Sequence, residues 1–285
     1  MPTVSRAFPG DAELATPREG LLTERPGEAP GEFVQEHGPF EHYRRVVARS
    51  ADGLVETTEY RLRIPWFGVL FWLPVRWWVQ RRGYAGRFPG RMPVWAPPDR
   101  FDPRQVLVLG LLAAGAAASG FTNTLFTQTA TFAADSFGAS DAAVGIAGAV
   151  VRAGILVAIP FGVLADRWGR RRVIRIVAVA APITCALGAA APSFPLLVAT
   201  QTLGRPLGLA LDLLLGVVAA EEMPRNSRAY AVSVMAMASG LGSGIAVMAL
   251  PLADVSVGPG GDEGWRLVYV VALVWVVVAG SIARR

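Results

Sequence analysis

From Gln105 onward, long apolar runs alternate with short polar links, and six runs stand out: 105–128, 142–165, 173–191, 194–219, 229–251 and 266–282. Each is near the ~20 residues that an α-helix needs to cross ~30 Å of hydrocarbon. Backbone amides in lipid must be paired within their own segment, so the runs predict six membrane-spanning helices. The third and fourth are joined only by "APSFP", a tight turn between antiparallel spans. The pattern upstream is different. Residues 1–38 hold seven acids against three Arg and have no apolar period, which predicts a disordered acidic tail. Next, "HYRRVVARSADGLVETTEYRLRI" sets two stretches rich in Val, Thr, Tyr and Arg around Ala-Asp-Gly, a hairpin pattern over about 41–63. It runs into "IPWFGVLFWLPVRWWVQRR", with four Trp, two Phe, Pro65, Pro74 and Arg76. That segment, about 64–80, is short for a span and rich in aromatics that prefer the headgroup layer, which predicts an interfacial element. "RFPGRMPVWAPPDRFDP" reads as a Pro-rich linker.

These patterns divide the chain into 1–38 (tail), 39–104 (hairpin, aromatic segment and linker) and 105–285 (six spans). The fold class is all-α integral membrane, preceded by a small β-hairpin and an interfacial segment. Composition agrees: 53% hydrophobic and 17% charged residues, with a mean hydropathy of +0.41, exclude an ordinary soluble domain. All 27 basic residues are Arg, so the pI of about 10.1 reflects residue usage and is no argument for a nucleic-acid partner. The lone Cys185 offers no disulfide framework, and His37 and His42 both precede the spans, so no metal or cofactor site is expected. The first 40 residues lack the apolar core of a cleavable signal peptide.

Arginine also sets orientation. Arg100, Arg104, Arg167, Arg170, Arg171, Arg172, Arg175, Arg225, Arg228, Arg284 and Arg285 fall on one side of the predicted spans and only Arg266 on the other. Eleven against one places the Arg-rich side, and with it both termini, in the cytoplasm of a multi-pass plasma-membrane protein.

Topology explains arginines at the link after the second span, but not the rest of "GVLADRWGRRR", 162–172. Gly162 and Gly169 permit a tight turn or close approach, and Asp166 is a charge at a membrane edge. The string resembles the loop between the second and third helices of the major facilitator superfamily, Gly-x-x-x-Asp-Arg-x-Gly-Arg-[Arg/Lys]. Gly162, Asp166, Arg167, Gly169, Arg170 and Arg171 fill that pattern. The resemblance implies the N-terminal six-helix half of a secondary transporter, over about residues 100 to 285, that moves a small solute by alternating access. It implies that the loop is a conformational latch. A second match, Glu222-x-Pro224-x-x-x-Arg228 in "EEMPRNSRAY", is similar to the pattern after the fourth helix of many facilitators. It makes Glu221 or Glu222 the natural partner of Arg170 or Arg171. Sugar porters follow that Arg with Gly; Ala229 stands here, so no sugar is inferred. The first 100 residues are similar to a cytoplasmic extension of actinobacterial facilitators.

Arg152, Arg205 and Asp212 lie inside apolar runs, where each costs at least ~2.5–3.5 kcal/mol at mid-helix, so each needs a function or a partner. Arg205 and Asp212, seven apart, share a helix face without pairing locally. "LGRPLGLA" loosely resembles the facilitator Arg-x-x-x-Gly pattern, which implies proton coupling; the alternative is that Arg205 bonds carbonyls freed by Pro206 and Pro195. Arg152 either contacts an anionic substrate or snorkels. Asn123, Gln128 and the threonines of the first span form a polar stripe, and the resemblance makes that helix line the central cavity. In "SGLGSGIAVMALP" the glycines read as close helix packing; the Gly-Pro step of drug antiporters is absent.

The competing readings are weak or incomplete. A rhomboid-like serine protease would need a His base within a span, and none is there. Gly240-x-Gly242 lacks the preceding strand of a dinucleotide site. The superfamily has two six-helix bundles, so the chain is expected to be truncated, to pair with a C-terminal half, or not to transport. The expected partners are a small solute, protons, the lipid bilayer and that second half.

Overall fold

The computed structural model describes residues 2–8, 16–50, 53–81, 94–258 and 260–283. By contact the chain divides into two compact units, Met1–Gly110 with Glu222–Tyr230, and Leu111–Glu221 with Ala231–Arg285.

The first unit is built on an antiparallel sheet of five strands: β1 (Thr3–Phe8), β2 (Thr23–Pro26), β3 (Glu32–His37), β4 (Phe40–Ser50) and β5 (Gly53–Leu62), in the order β1-β5-β4-β3-β2. The expected hairpin is present as β4 and β5, in register from Ser50↔Gly53 to Tyr43↔Tyr60. Its turn residues Ala51 and Asp52 lie outside the described residues, as does the linker over 87–93. The disordered tail is a correction, because β1, β2 and β3 fall within 1–38. Acidic composition misled because the acids are consumed by partners far along the chain. Arg45 and Glu24, both fully buried, meet at 2.7 Å. Tyr43 Oη donates to Glu24 Oε1 (2.6 Å), and Arg18 forks onto both oxygens of Glu56 (3.1 and 2.8 Å). Bidentate, charge-assisted bonds of this kind make buried ions tolerable.

Helix α1 (Gly68–Arg81) carries the aromatic segment. At 1.5 Å per residue its 14 residues reach about 21 Å, short of a bilayer core. Val75 and Val79, one turn apart, are buried with Leu22, Phe40, Tyr43 and Tyr60 of the sheet, and Phe71 and Trp78 flank them. The other face leaves Val69, Leu70, Trp72, Leu73 and Trp77 exposed, with the Arg76 guanidinium over the Trp72 ring at 5.4 Å.

Six helical stretches are long and apolar enough to cross a membrane: Pro103–Ser136, Asp141–Trp168, Arg170–Ala190, Phe194–Glu222, Arg225–Asp254 and Trp265–Ile282. They match the six predicted runs. Their principal helices are α2 (Pro103–Ser136), α3 (Asp141–Ala153), α4 (Ile159–Trp168), α5 (Arg170–Ala186), α6 (Phe194–Glu222), α7 (Arg228–Met248), α8 (Trp265–Val271) and α9 (Val274–Ala283). The second span tightens into a 3₁₀ segment, Gly154–Ala158, between α3 and α4. Pro160 brings no amide to the carbonyl four residues earlier, which is reason enough for the break. Within the second unit α5 packs on α9. Helices α2 and α7 approach so closely that a Cβ on Gly120 would strike the Ser239 carbonyl, and one on Gly242 the Ala117 carbonyl. Close packing thus explains Gly242, whereas Gly240 and Gly244 face open space.

Candidate functional site

The latch string begins in the first half of α4 and ends in the first turn of α5. Between them Gly169 takes φ +89° and ψ 127°, a conformation that side chains with a Cβ rarely adopt, so glycine makes the elbow. Gly162 has open space around it and makes no close approach within the second unit. The elbow leaves Arg170, Arg171 and Arg172 at the N-terminus of α5, whose first turn has no acid. Cations are disfavoured there by the helix dipole, and so is a carboxylate at the C-terminus of α6. Each unfavourable end corrects the other: Arg170 Nη1 donates to Glu221 Oε1, while Arg170 Nη2 stands 3.7 Å from Asp166 Oδ1.

The expected partnership therefore narrows to Arg170 with Glu221. Glu222 does not join it; in the first unit it stands 3.6 Å from Arg104 at the start of α2. Arg167 and Arg228 are exposed. Near Arg228, Ser227 Oγ donates to Asp99 Oδ2 (2.9 Å) and Asn226 Nδ2 to Asp99 Oδ1 (3.2 Å), contacts that spacing along the chain does not reveal.

The residues inside the spans fall into two groups. Several of the threonines in the predicted stripe serve helix packing: Thr124 Oγ1 donates to Ser243 Oγ (2.9 Å), and Thr129 Oγ1 pairs with the Tyr269 hydroxyl (2.8 Å). Ser119, missed in the sequence, donates to the Gly208 carbonyl of α6 (2.8 Å) and accepts from Asn123 Nδ2 (3.1 Å). The second group has no such partners. Among the described residues Arg152, Arg205, Asp212 and Gln128 make no hydrogen bond or ion pair, and Arg205 Nε and Asn123 Oδ1 are buried without a partner. The alternative, Arg205 bonding carbonyls freed by Pro206 and Pro195, meets no such bond among the described residues. Asp212 lies two turns beyond Arg205, about 10.5 Å along α6.

At the opposite end of the bundle the lone Arg266 has a structural task. Its Nη1 donates to the carbonyls of Ala189 and Ala191, both at 2.7 Å, where the third span ends. Its guanidinium also stacks over Trp265 at 4.6 Å and Phe137 at 5.6 Å. The links after the first, third and fifth spans meet there, while Asp166, Arg170 and Glu221 bring the links after the second and fourth together at the other end. No group of three or more His, Cys, Asp or Glu side chains is placed to hold a metal among the described residues.

Six spans connected at alternate ends, with a charge cluster at one end and unpaired charges within, define a multi-pass membrane protein. The family model of the Major Facilitator Superfamily matches residues 112–284, and the chain belongs to that superfamily. Among solved structures it is similar to the inward-open xylose transporter XylE from E. coli, with a TM-score of 0.51 and 18% identity. The match covers 62% of this chain and 48% of the other, so this chain spans about half the length of that transporter. At that identity the likeness is one of fold. No curated protein matches the sequence significantly.

Proposed function

We propose that the chain is the N-terminal half of a secondary active transporter that works by alternating access, with the Asp166–Arg170–Glu221 cluster as its cytoplasmic latch. The observation that carries this reading is the position of Arg170, between an acid of its own elbow and an acid at the end of α6. Such contacts bias a two-state equilibrium when they exist in only one of its states. A second six-helix half completes the transport path, and the Arg-rich ends face the cytoplasm of the plasma membrane. Coupling is to protons. An arginine keeps its proton at any working pH, so Asp212 is the group within the spans suited to carry one. The exposed apolar face of α1 lies in the headgroup layer, as its tryptophans and length favour.

The test uses a thiol at Asn123 in a Cys185→Ser background, in oriented native-membrane vesicles, with a membrane-impermeant maleimide. Arg170→Gln is expected to raise labelling from the cytoplasmic side severalfold and to lower it from the other side. Arg225→Gln should leave both unchanged. A rise on both sides would mean a loosened bundle, and unchanged rates would reduce the cluster to a topology signal; either result overturns the latch.

A further inference from the structure

We infer that the transported solute is a small oxyanion, a carboxylate or a phosphate, bound between Arg152 and Arg205 with Asn123 reading a neighbouring hydroxyl. The inference rests on the transporter reading above and names its substrate class.

Gly154, two residues beyond Arg152, is where the second span presses against α6. A Cβ there would come within 2.9 Å of the Thr202 carbonyl and 3.3 Å of the Pro206 ring. Absence of a side chain lets the two backbones close, and the close approach puts Arg152 beside the stretch of α6 that carries Arg205. The two guanidiniums lie within electrostatic reach of each other. Among the described residues no carboxylate stands between them. Arg205 is half-buried and Arg152 exposed, and a protein that only had to carry these two charges within its spans would supply acids or carbonyls. Two like charges held together without either are a site waiting for a counter-charge, and they require an aqueous cavity rather than hydrocarbon on that face. Arg205 Nε, buried and without an acceptor, is the donor that such an anion would satisfy.

Asn123 adds a second requirement. Its amide nitrogen is committed to Ser119 Oγ, which itself donates to the Gly208 carbonyl, so the orientation of the amide is fixed. Its Oδ1 is left as an acceptor with no donor, against Gly208, which follows Arg205 by three residues on α6. A solute with an oxyanion and an adjacent hydroxyl satisfies Arg205 and Asn123 together.

Thermal unfolding of the purified full chain in detergent, at matched ionic strength, tests this. The probes are inorganic phosphate, lactate, propionate, glucose and tetramethylammonium chloride. Phosphate or lactate is expected to raise the midpoint by several degrees in a saturable way; glucose and the cation should not. Arg152→Gln and Arg205→Gln are each expected to weaken the apparent affinity at least tenfold, with Arg225→Gln unchanged. Lactate should exceed propionate in the native chain and lose that advantage in Asn123→Ala. Equal stabilisation of native chain and arginine variants would be a general salt effect, and stabilisation by glucose alone would mean a neutral substrate. Either result overturns the inference. The maleimide experiment with Arg170→Gln reads the transport cycle separately, so the two proposals fail independently.

Discussion

Arg266→Gln separates two accounts of the one arginine on the Arg-poor side of the spans. By charge statistics alone its loss is harmless or helpful, because an asymmetry of eleven to one becomes complete. The structure predicts a destabilised bundle. Arg266 makes two bonds of 2.7 Å to backbone carbonyls at the end of the third span and stacks on Trp265 at 4.6 Å. Hydrogen bonds from a charged donor contribute about 1.5–3 kcal/mol each when fully protected. With a fifth of this side chain exposed, water replaces part of that, so the lower end of the range applies. A cation–π contact adds about 0.5–1 kcal/mol. The net loss is about 2–4 kcal/mol, or a midpoint lowered by about 5–10 °C for a unit of this size. Differential scanning fluorimetry in detergent measures it, with Arg228→Gln as the exposed control and Arg266→Lys expected between, since an ammonium lacks the planar fork. A shift below 1 °C for Arg266→Gln would refute the structural role and leave Arg266 as a tolerated exception.

Two other predictions concern the first unit. Arg45→Met strips the counter-charge from buried Glu24 and Glu56, which should cost about 3–5 kcal/mol; hydrogen exchange of the β4 and β5 amides should lose protection by at least about a hundredfold, and adding Glu24→Gln should recover part of it. For α1, a fluorescent label at Val69, 85% exposed, should be quenched by a headgroup-level nitroxide lipid in nanodiscs while one at Glu41 is not; equal quenching by a water-borne agent would take the helix off the membrane.

How far the fold was legible follows from which contacts are local. Spans announce themselves because every residue in a ~20-residue window votes for the same solvent, so six runs map onto six helical stretches with ends within four residues, except at Ser136, eight beyond the run. The break at Gly154–Ala158 was carried by Pro160, a local signal that a hydropathy count passes over. The sheet was half legible. The β4–β5 hairpin has alternation and a turn within one short window, but β2 and β3 depend on Glu24 finding Arg45, 21 residues on. A composition argument treats every acid as solvated, and here Glu24 is buried in the sheet.

The site was legible where chemistry is tied to a chain position. Gly169 had to be glycine because the elbow needs positive φ, and Asp166 and Arg170, four residues apart, face each other across that elbow. The choice of Glu221 over Glu222 was not, since neighbours on a helix point about 100° apart and only the packing of α6 decides which one faces α5. For the charges inside the spans, sequence supplied their cost and structure supplied what they lack. Arg170 and Arg266 are answered by acids and carbonyls of their own chain, each at a helix end where the dipole leaves a deficit. Arg152 stands in the last turn of α3 and Arg205 midway along α6, and neither makes a hydrogen bond or ion pair among the described residues. The same fold that answers Arg170 and Arg266 leaves these two without a partner among the described residues, and on the inference drawn above a solute supplies their counter-charge.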